Sequence, residues 1–331
     1  MVWVPRDFLK FILSNSFLKG SGLNEHLLIR EYFSDIGSDF LSERYVSLGV
    51  GDDAAGFKPP KGYEIILSTD TSIEGVHFLS TQSPDDIAYR AVAVALSDLA
   101  ACGADPVWFM VSLTMNENKS SWLKKFSKGL NQIAHEYRIP LIGGDTTKGP
   151  LIITVQVGGI IKSGKMITRS GAKNGDLIYV SGRIGEAYLG LNQLKDNLSS
   201  QEYIHRYIRP IPRFDLSKIL LKFASSAIDI SDGLVQDLGH LCTASKVGAK
   251  INFDQISFPL NSSEEDKRKF ISSGDDYQLC FTIPENERDI LKKQDKKIDI
   301  KEIGYITNEE NLIVENKNKQ VINVAKGYSH F

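Results

Sequence analysis

Cysteine is scarce, with three in 331 residues. Cys102, Cys242 and Cys280 lie far apart, form no CxxC pair and have no metal-ligand spacing. That argues against a disulfide framework and a zinc site. They read instead as small buried residues of a reducing compartment, which places the chain in the cytoplasm. An excess of charge of one sign is also missing: 39 basic residues face 41 acidic ones, for a formal net charge of −2. Neither nucleic acid nor a membrane surface is suggested as a partner. No apolar run reaches the ~18–20 residues needed to span a bilayer. The usual nucleotide signatures are absent as well. There is no GxxxxGK[ST] loop; the nearest segment, Gly159 to Met166, follows a strand but ends in a side chain with no hydroxyl for magnesium. No GxGxxG fingerprint, GxSxG elbow or HExxH pair occurs.

What is present is an ordinary globular composition, 42% hydrophobic, enough for a sizeable core. The length suggests about two domains at ~100–200 residues each. Residues 1–21 carry Trp3, Phe8, Phe11 and Phe17, but Asp7 and Lys10 interrupt them. They read as an amphipathic extension rather than a signal peptide. The glycine- and base-rich stretch after Ile161 places a boundary near 162, giving units of 22–162 and 163–331. Strands and helices mix in both, which predicts an α/β or α+β fold.

The pattern predicts a helix over 23–33 with Asn24 as its cap. A strand over 63–69 should end at Asp70, and a short one over 141–144 should lead to Asp145. Ser83-Pro84-Asp85-Asp86 is a strong helix start, combining a cap, proline at the first position and acids in the first turn. That helix should run to Cys102 and stop at Gly103. A second covers about 120–137. In the second half, a strand over 227–230 should lead directly into a helix over 233–244, with Ser231 capping it and Asp232 in its first turn.

The chemistry lies in aspartates at the ends of apolar elements: Asp52 and Asp53, Asp70, Asp98, Asp145, Asp229 and Asp232. Any one alone reads as a turn or a cap. Asp98 is the most informative. With Ala91, Ala95 and Cys102 it falls on one helical stripe by 4-3-4 spacing, and it sits near a helix C-terminus, the wrong end for an anion. A compensating cation or a hydrogen-bonded buried aspartate would each explain it. If several of these acids converge, two charges ~4 Å apart repel by roughly 4 kcal/mol at an effective dielectric of ~20. An all-oxygen set without His or Cys favours magnesium over zinc. Arg169 is either a polyphosphate contact or a solvated loop residue. His77 has no second base or nucleophile with which to form a dyad.

Jointly these segments resemble the thiamine-monophosphate kinases, within the aminoimidazole-ribonucleotide synthetase superfamily. The resemblance rests on GDDAA (51–55), STDTSIEGVHF (68–78), ALSDLAACGADP (95–106), IGGDTTKGP (142–150), TRSGAKNGD (168–176), IDISDGL (228–234), SGDDYQLCF (273–281) and KGYSHF (326–331). It implies transfer of the ATP γ-phosphoryl group to thiamine phosphate. It implies magnesium held by Asp53, Ser68, Thr69, Asp70, Asp98, Asp145, Asp229 and Asp232, with Asp52 second to these. It implies ATP contacts from Gly144, Asp145, Arg169 and Ser231, and thiamine phosphate contacts from His77, Asp275 and Tyr328. It also implies a homodimer in which first-half sheets pair across the two-fold, with a second α/β domain alongside. Two departures stand out: Asp275 and Gln278 replace glutamates usual in the family. The rivals are another ATP-dependent enzyme of the superfamily, such as aminoimidazole-ribonucleotide or selenophosphate synthetase, and a non-catalytic nucleotide-binding protein. A selenophosphate synthetase would need a reactive Cys or selenocysteine near its N-terminal glycine-rich region, and no cysteine precedes Cys102.

Overall fold

The computed structural model describes residues 25–196, 202–294 and 299–330. The N-terminal extension, Asn24 and Phe331 lie outside the described residues. After helix α1 (Glu25–Tyr32), two short strands, β1 (Val46–Leu48) and β2 (Gly56–Phe57), pair with each other. Four long strands then form a sheet: β3 (Tyr63–Ile73), β4 (Asp105–Met115), β5 (Leu141–Lys148) and β6 (Ile152–Lys162). Their order is β3-β6-β4-β5, with β4 and β5 parallel and the other pairs antiparallel.

Helices α2 (Pro84–Ala101) and α3 (Ser120–Tyr137) pack on one another, and α2 also packs on the sheet. Helix α2 is nearly all Ala, Val and Leu after its first turn and is buried over most of its length. Two polar exceptions inside it, Arg90 and Ser97, are buried too. The close helix crossing depends on Gly129, where a Cβ would meet the Asp85 backbone oxygen at 2.1 Å.

The second half has a six-stranded sheet. Its strands are β7 (Leu177–Ser181), β8 (Ser226–Asp229), β9 (Gly248–Asn252), β10 (Leu279–Ile283), β11 (Ile300–Thr307) and β12 (Leu312–Glu315). The order is β12-β9-β11-β7-β10-β8, antiparallel except for β12 against β9. Helices α4 (Glu186–Lys195), α5 (Ile204–Ile208), α6 (Ser217–Phe223), α7 (Leu234–Ser245), α8 (Glu264–Phe270) and α9 (Arg288–Gln294) complete it. Mixed sheets with helices in both halves agree with the expected α/β (α+β) class. Strand β8 lies at the edge of its sheet and against α2, so the two halves meet there.

Three local expectations need correction. Asp70 lies inside β3, which continues to Ile73 because β6 pairs with it along its whole length. Asp145 lies inside β5, which runs on to Lys148 in parallel pairing with β4. Helix α7 begins at Leu234, so Ser231 and Asp232 precede it. Gly233 there adopts φ 120°, and Asp237 caps from inside, accepting from the Asp232 and Gly233 amides at 3.0 and 3.1 Å.

Candidate active site

The site is built where β3, α2 and β8 meet. Along β3, burial alternates: Ser68, Asp70 and Ser72 turn inward, while Leu67, Thr69, Thr71 and Ile73 are exposed. The strand period of two therefore aims Ser68 and Asp70 at α2. Ser68 donates its hydroxyl proton to Asp98. The residue before it on α2, Ser97, donates to Asp229 Oδ2 at 2.8 Å. Asp98 thus faces the seam between the halves.

These acids perturb one another. Burial, and next the charge of Asp98, push Asp70 up to about 7. Burial also raises Asp98, opposed by the Ser68 hydrogen bond and the Arg169 charge. Asp229 is raised well above the carboxylate range, first by burial and then by Asp98. Asp70 Oδ2 is buried with no hydrogen-bond partner. A buried carboxylate oxygen without a donor, beside two further carboxylates, is the arrangement a hard divalent cation relieves. The donors are all oxygens, and they fit magnesium.

A cavity of about 820 Å³ opens from this cluster, lined by Thr69, Asp70, His77, Ser231, Asp232, Asp275 and Tyr328. Tyr328 is tied to the aspartate loop, its amide donating to the Asp232 carbonyl at 3.0 Å. His77 lies against His330, ring centroids 5.3 Å apart. Burial first, and then His330, lower the His77 pKa, so the ring is neutral at pH 7 and its Nδ1 accepts from the Ile73 amide at 3.1 Å. On the other side of the seam, a cavity of about 460 Å³ is lined by Ser68, Asp98, Arg169 and Asp229.

Asp53, Gly144 and Asp145 are not in this group. They line a third cavity of about 680 Å³, together with Asp52. Asp145 pairs through Ser112 and Thr154 to Thr71, whereas Asp70 pairs through Val155 and Val111 to Gly144. Asp145 therefore emerges on the exposed face of the sheet, three strands from Asp70, or about 14 Å at strand spacing. Gly144 is required where it stands, because a Cβ would meet the Val111 oxygen at 1.9 Å.

The family models for AIR synthase related protein match this chain in two parts, the N-terminal domain over residues 51–161 and the C-terminal domain over 173–317. The thiamine-monophosphate kinase of Buchnera aphidicola subsp. Schizaphis graminum is 44% identical over 299 residues, covering 86% of this chain and 92% of its own. The chain belongs to the thiamine-monophosphate kinase family. The Escherichia coli K12 member is 43% identical over 278 residues, covering 81% of this chain and 85% of its own. Among solved structures, thiamine-monophosphate kinase from Stenotrophomonas maltophilia K279a superposes with a TM-score of 0.79 at 33% identity, covering 86% of this chain and 97% of that one. AaThiL complexed with AMPPCP and TMP gives 0.74 at 30% identity, covering 83% and 89%. The hydrogenase maturation protein HypE shares the fold at 17% identity, with a TM-score of 0.73.

Both departures from the family pattern have local partners. Asp275 is paired with Arg90. Gln278 Oε1 accepts from Ser181 Oγ at 2.7 Å and from Arg213, so a neutral acceptor serves there. Sequence reasoning missed Ser97, Arg90, Asp237 and His330. The available signal for the first two was a polar residue inside an otherwise apolar helix. Asp232, Asp237 and His240 bring donor atoms within 4.8 Å of one another, but Asp237 is committed to capping α7.

Proposed function

We propose that the protein transfers the γ-phosphoryl group of ATP directly to thiamine phosphate, giving thiamine diphosphate and ADP. The observation that carries this is the unpartnered Asp70 carboxylate oxygen, beside Asp98 and Asp229 and opening on a cavity that is also lined by His77, Asp275 and Tyr328. The similarity to AaThiL complexed with AMPPCP and TMP supports this reading. Ser68, Thr69, Asp70, Asp98, Asp229 and Asp232 would hold magnesium, with Asp53 and Asp145 completing the set. When bound, magnesium would neutralise the polyphosphate charge. Gly144, Arg169 and Ser231 would contact ATP.

The chain's own residues do the rest by positioning. The acceptor is a phosphate oxygen, anionic at neutral pH, so no residue need remove a proton to create the nucleophile. The cavity walls hold the acceptor in line and keep water from competing for the phosphoryl group. The half-exposed ring of Tyr328, which lines the cavity with His77 and His330, offers an aromatic face to the cationic thiazolium. Free thiamine, which lacks an anionic oxygen, is not an acceptor.

We also propose a homodimer. The outer face of the first sheet exposes Ile65 and Leu67, at 44% and 57%, on the same face as Asp145. Pairing these faces across a two-fold would bring Asp53, Gly144 and Asp145 of one protomer to the polyphosphate held by its partner. Residues 22–162 would then carry dimerisation and most of the metal site. No helix among the described residues is long and apolar enough to cross a membrane, and a cytoplasmic location fits the free cysteines.

A synthetase that used a cysteine nucleophile is disfavoured, because burial pushes Cys102 and Cys242 up to about 11 and raises Cys280 as well. The test is product mass spectrometry with ATP, magnesium and a panel of phosphorylated acceptors. Thiamine diphosphate and ADP should appear in equal amounts. ATP consumption with selenide or with another phosphorylated acceptor instead, or binding of ATP without turnover, would overturn the proposal.

A further inference from the structure

Arg90 is 4% exposed, in the middle of an apolar helix. A guanidinium in such a place must be paired and hydrogen-bonded. Its partners come from three separate segments. Nη2 donates to Asp275 Oδ1, Nη1 to the Tyr207 carbonyl, and Nε points at the His77 carbonyl at 3.4 Å. The Tyr207 ring lies 4.2 Å from the guanidinium carbon, and the Tyr207 hydroxyl donates to that same His77 carbonyl at 3.0 Å. Both His77 and Asp275 line the large cavity.

Asp275 is conformationally demanding. Its φ is 73°, in the left-handed region, and its amide donates to the Ser231 carbonyl at 2.9 Å. An aspartate is also one methylene shorter than the glutamate it replaces, so where its carboxylate stands depends on what holds it. About a third of its side chain stays exposed, at 34%. We infer that Arg90 is a positioning residue for the acceptor: it fixes the Asp275 carboxylate and the His77 loop together at the cavity wall. This rests on the acceptor reading given above. The fork geometry of arginine matters, because one side chain must reach three acceptors in different directions.

The test is steady-state kinetics of wild type, Arg90→Met, Arg90→Lys, Asp275→Asn and the double variant Arg90→Met/Asp275→Asn, varying ATP and thiamine phosphate separately. Arg90→Met should raise KM for thiamine phosphate about tenfold or more and leave KM for ATP within about twofold. The lysine variant should fall between, since it keeps the charge and loses the fork. The double variant should lose less than the sum of the two single losses, because part of what Arg90 does is to hold the Asp275 carboxylate. It also removes the unpaired buried charge, so it reports even if Arg90→Met fails to fold. An unchanged KM for thiamine phosphate, equal loss for both substrates, or additive losses in the double variant would each overturn the inference. Wild-type turnover in the same assay separates that outcome from failure of the acceptor reading, which would abolish thiamine diphosphate formation in every sample.

Discussion

At the scale of single residues, the acids fall into two kinds. Asp70 is a buried carboxylate with a bare oxygen and acidic neighbours. Replacing it with Asn removes repulsion that nothing among the described residues offsets. Asp70→Asn should therefore unfold no lower than wild type in a magnesium-free thermal melt, while kcat falls by about a hundredfold or more, a loss typical of removing preorganised electrostatic stabilisation. A variant that keeps its activity would show that the metal set is misplaced. Asp276 is the contrasting case. It accepts from the Gly185 and Ala187 amides at 2.7 and 3.1 Å, at the start of α4, yet burial pushes it up to about 7. A carboxyl raised in the folded state binds its proton more tightly there than when unfolded. Its contribution is thus most favourable below about pH 4 and is lost as pH rises toward 7. Asp276→Asn should flatten the fall in stability between about pH 4 and 7 relative to wild type, as read by denaturant melts. An identical slope in both would contradict that assignment. The sequence marks Arg90 only as a polar residue inside an apolar helix; its partners lie on distant segments that no local pattern connects.

At the scale of elements, legibility followed the source of the structural signal. Helix α2 starts at Pro84 and ends at Ala101, close to the expected span, because a cap, a proline and Gly103 are local signals. Strands β3 and β5 run longer than the sequence predicts. Their ends, Thr-Asp-Thr-Ser and Asp-Thr-Thr-Lys, look like turns in isolation. They stay extended because β6 and β4 pair with them, which is a tertiary effect that local composition does not carry. Helix α7 starts later than the sequence predicts, since its cap comes from Asp237, inside the first turn. The α2–α3 contact offers a sharp check. Gly129→Ala puts a methyl against the Asp85 oxygen, at 2.1 Å before relaxation. It should destabilise the fold by about 1–3 kcal/mol, the usual range for overpacking. A neutral melt would mean that the helices cross more loosely than described.

At the scale of the whole molecule, the sequence announced a set of acids but not how they divide. Asp70, Asp98 and Asp229 meet at the seam between the two halves, because β8 docks on α2. Asp53 and Asp145 line a different cavity, and Asp145 lies on the exposed sheet face. Side-chain facing depends on strand register, and register is fixed only once partners are known. The proposed dimer resolves the separation by letting each protomer lend Asp145 to the other. Two inactive variants, Asp70→Asn and Asp145→Asn, test it directly when unfolded together, refolded as a mixture and assayed for thiamine diphosphate. In a mixed dimer, one site would carry both lesions and the other neither. The account predicts that activity returns to about a quarter of wild type, half of the dimers being mixed with one intact site each. A mixture no more active than its two parents would contradict the claim that these acids gather around one polyphosphate across the two-fold.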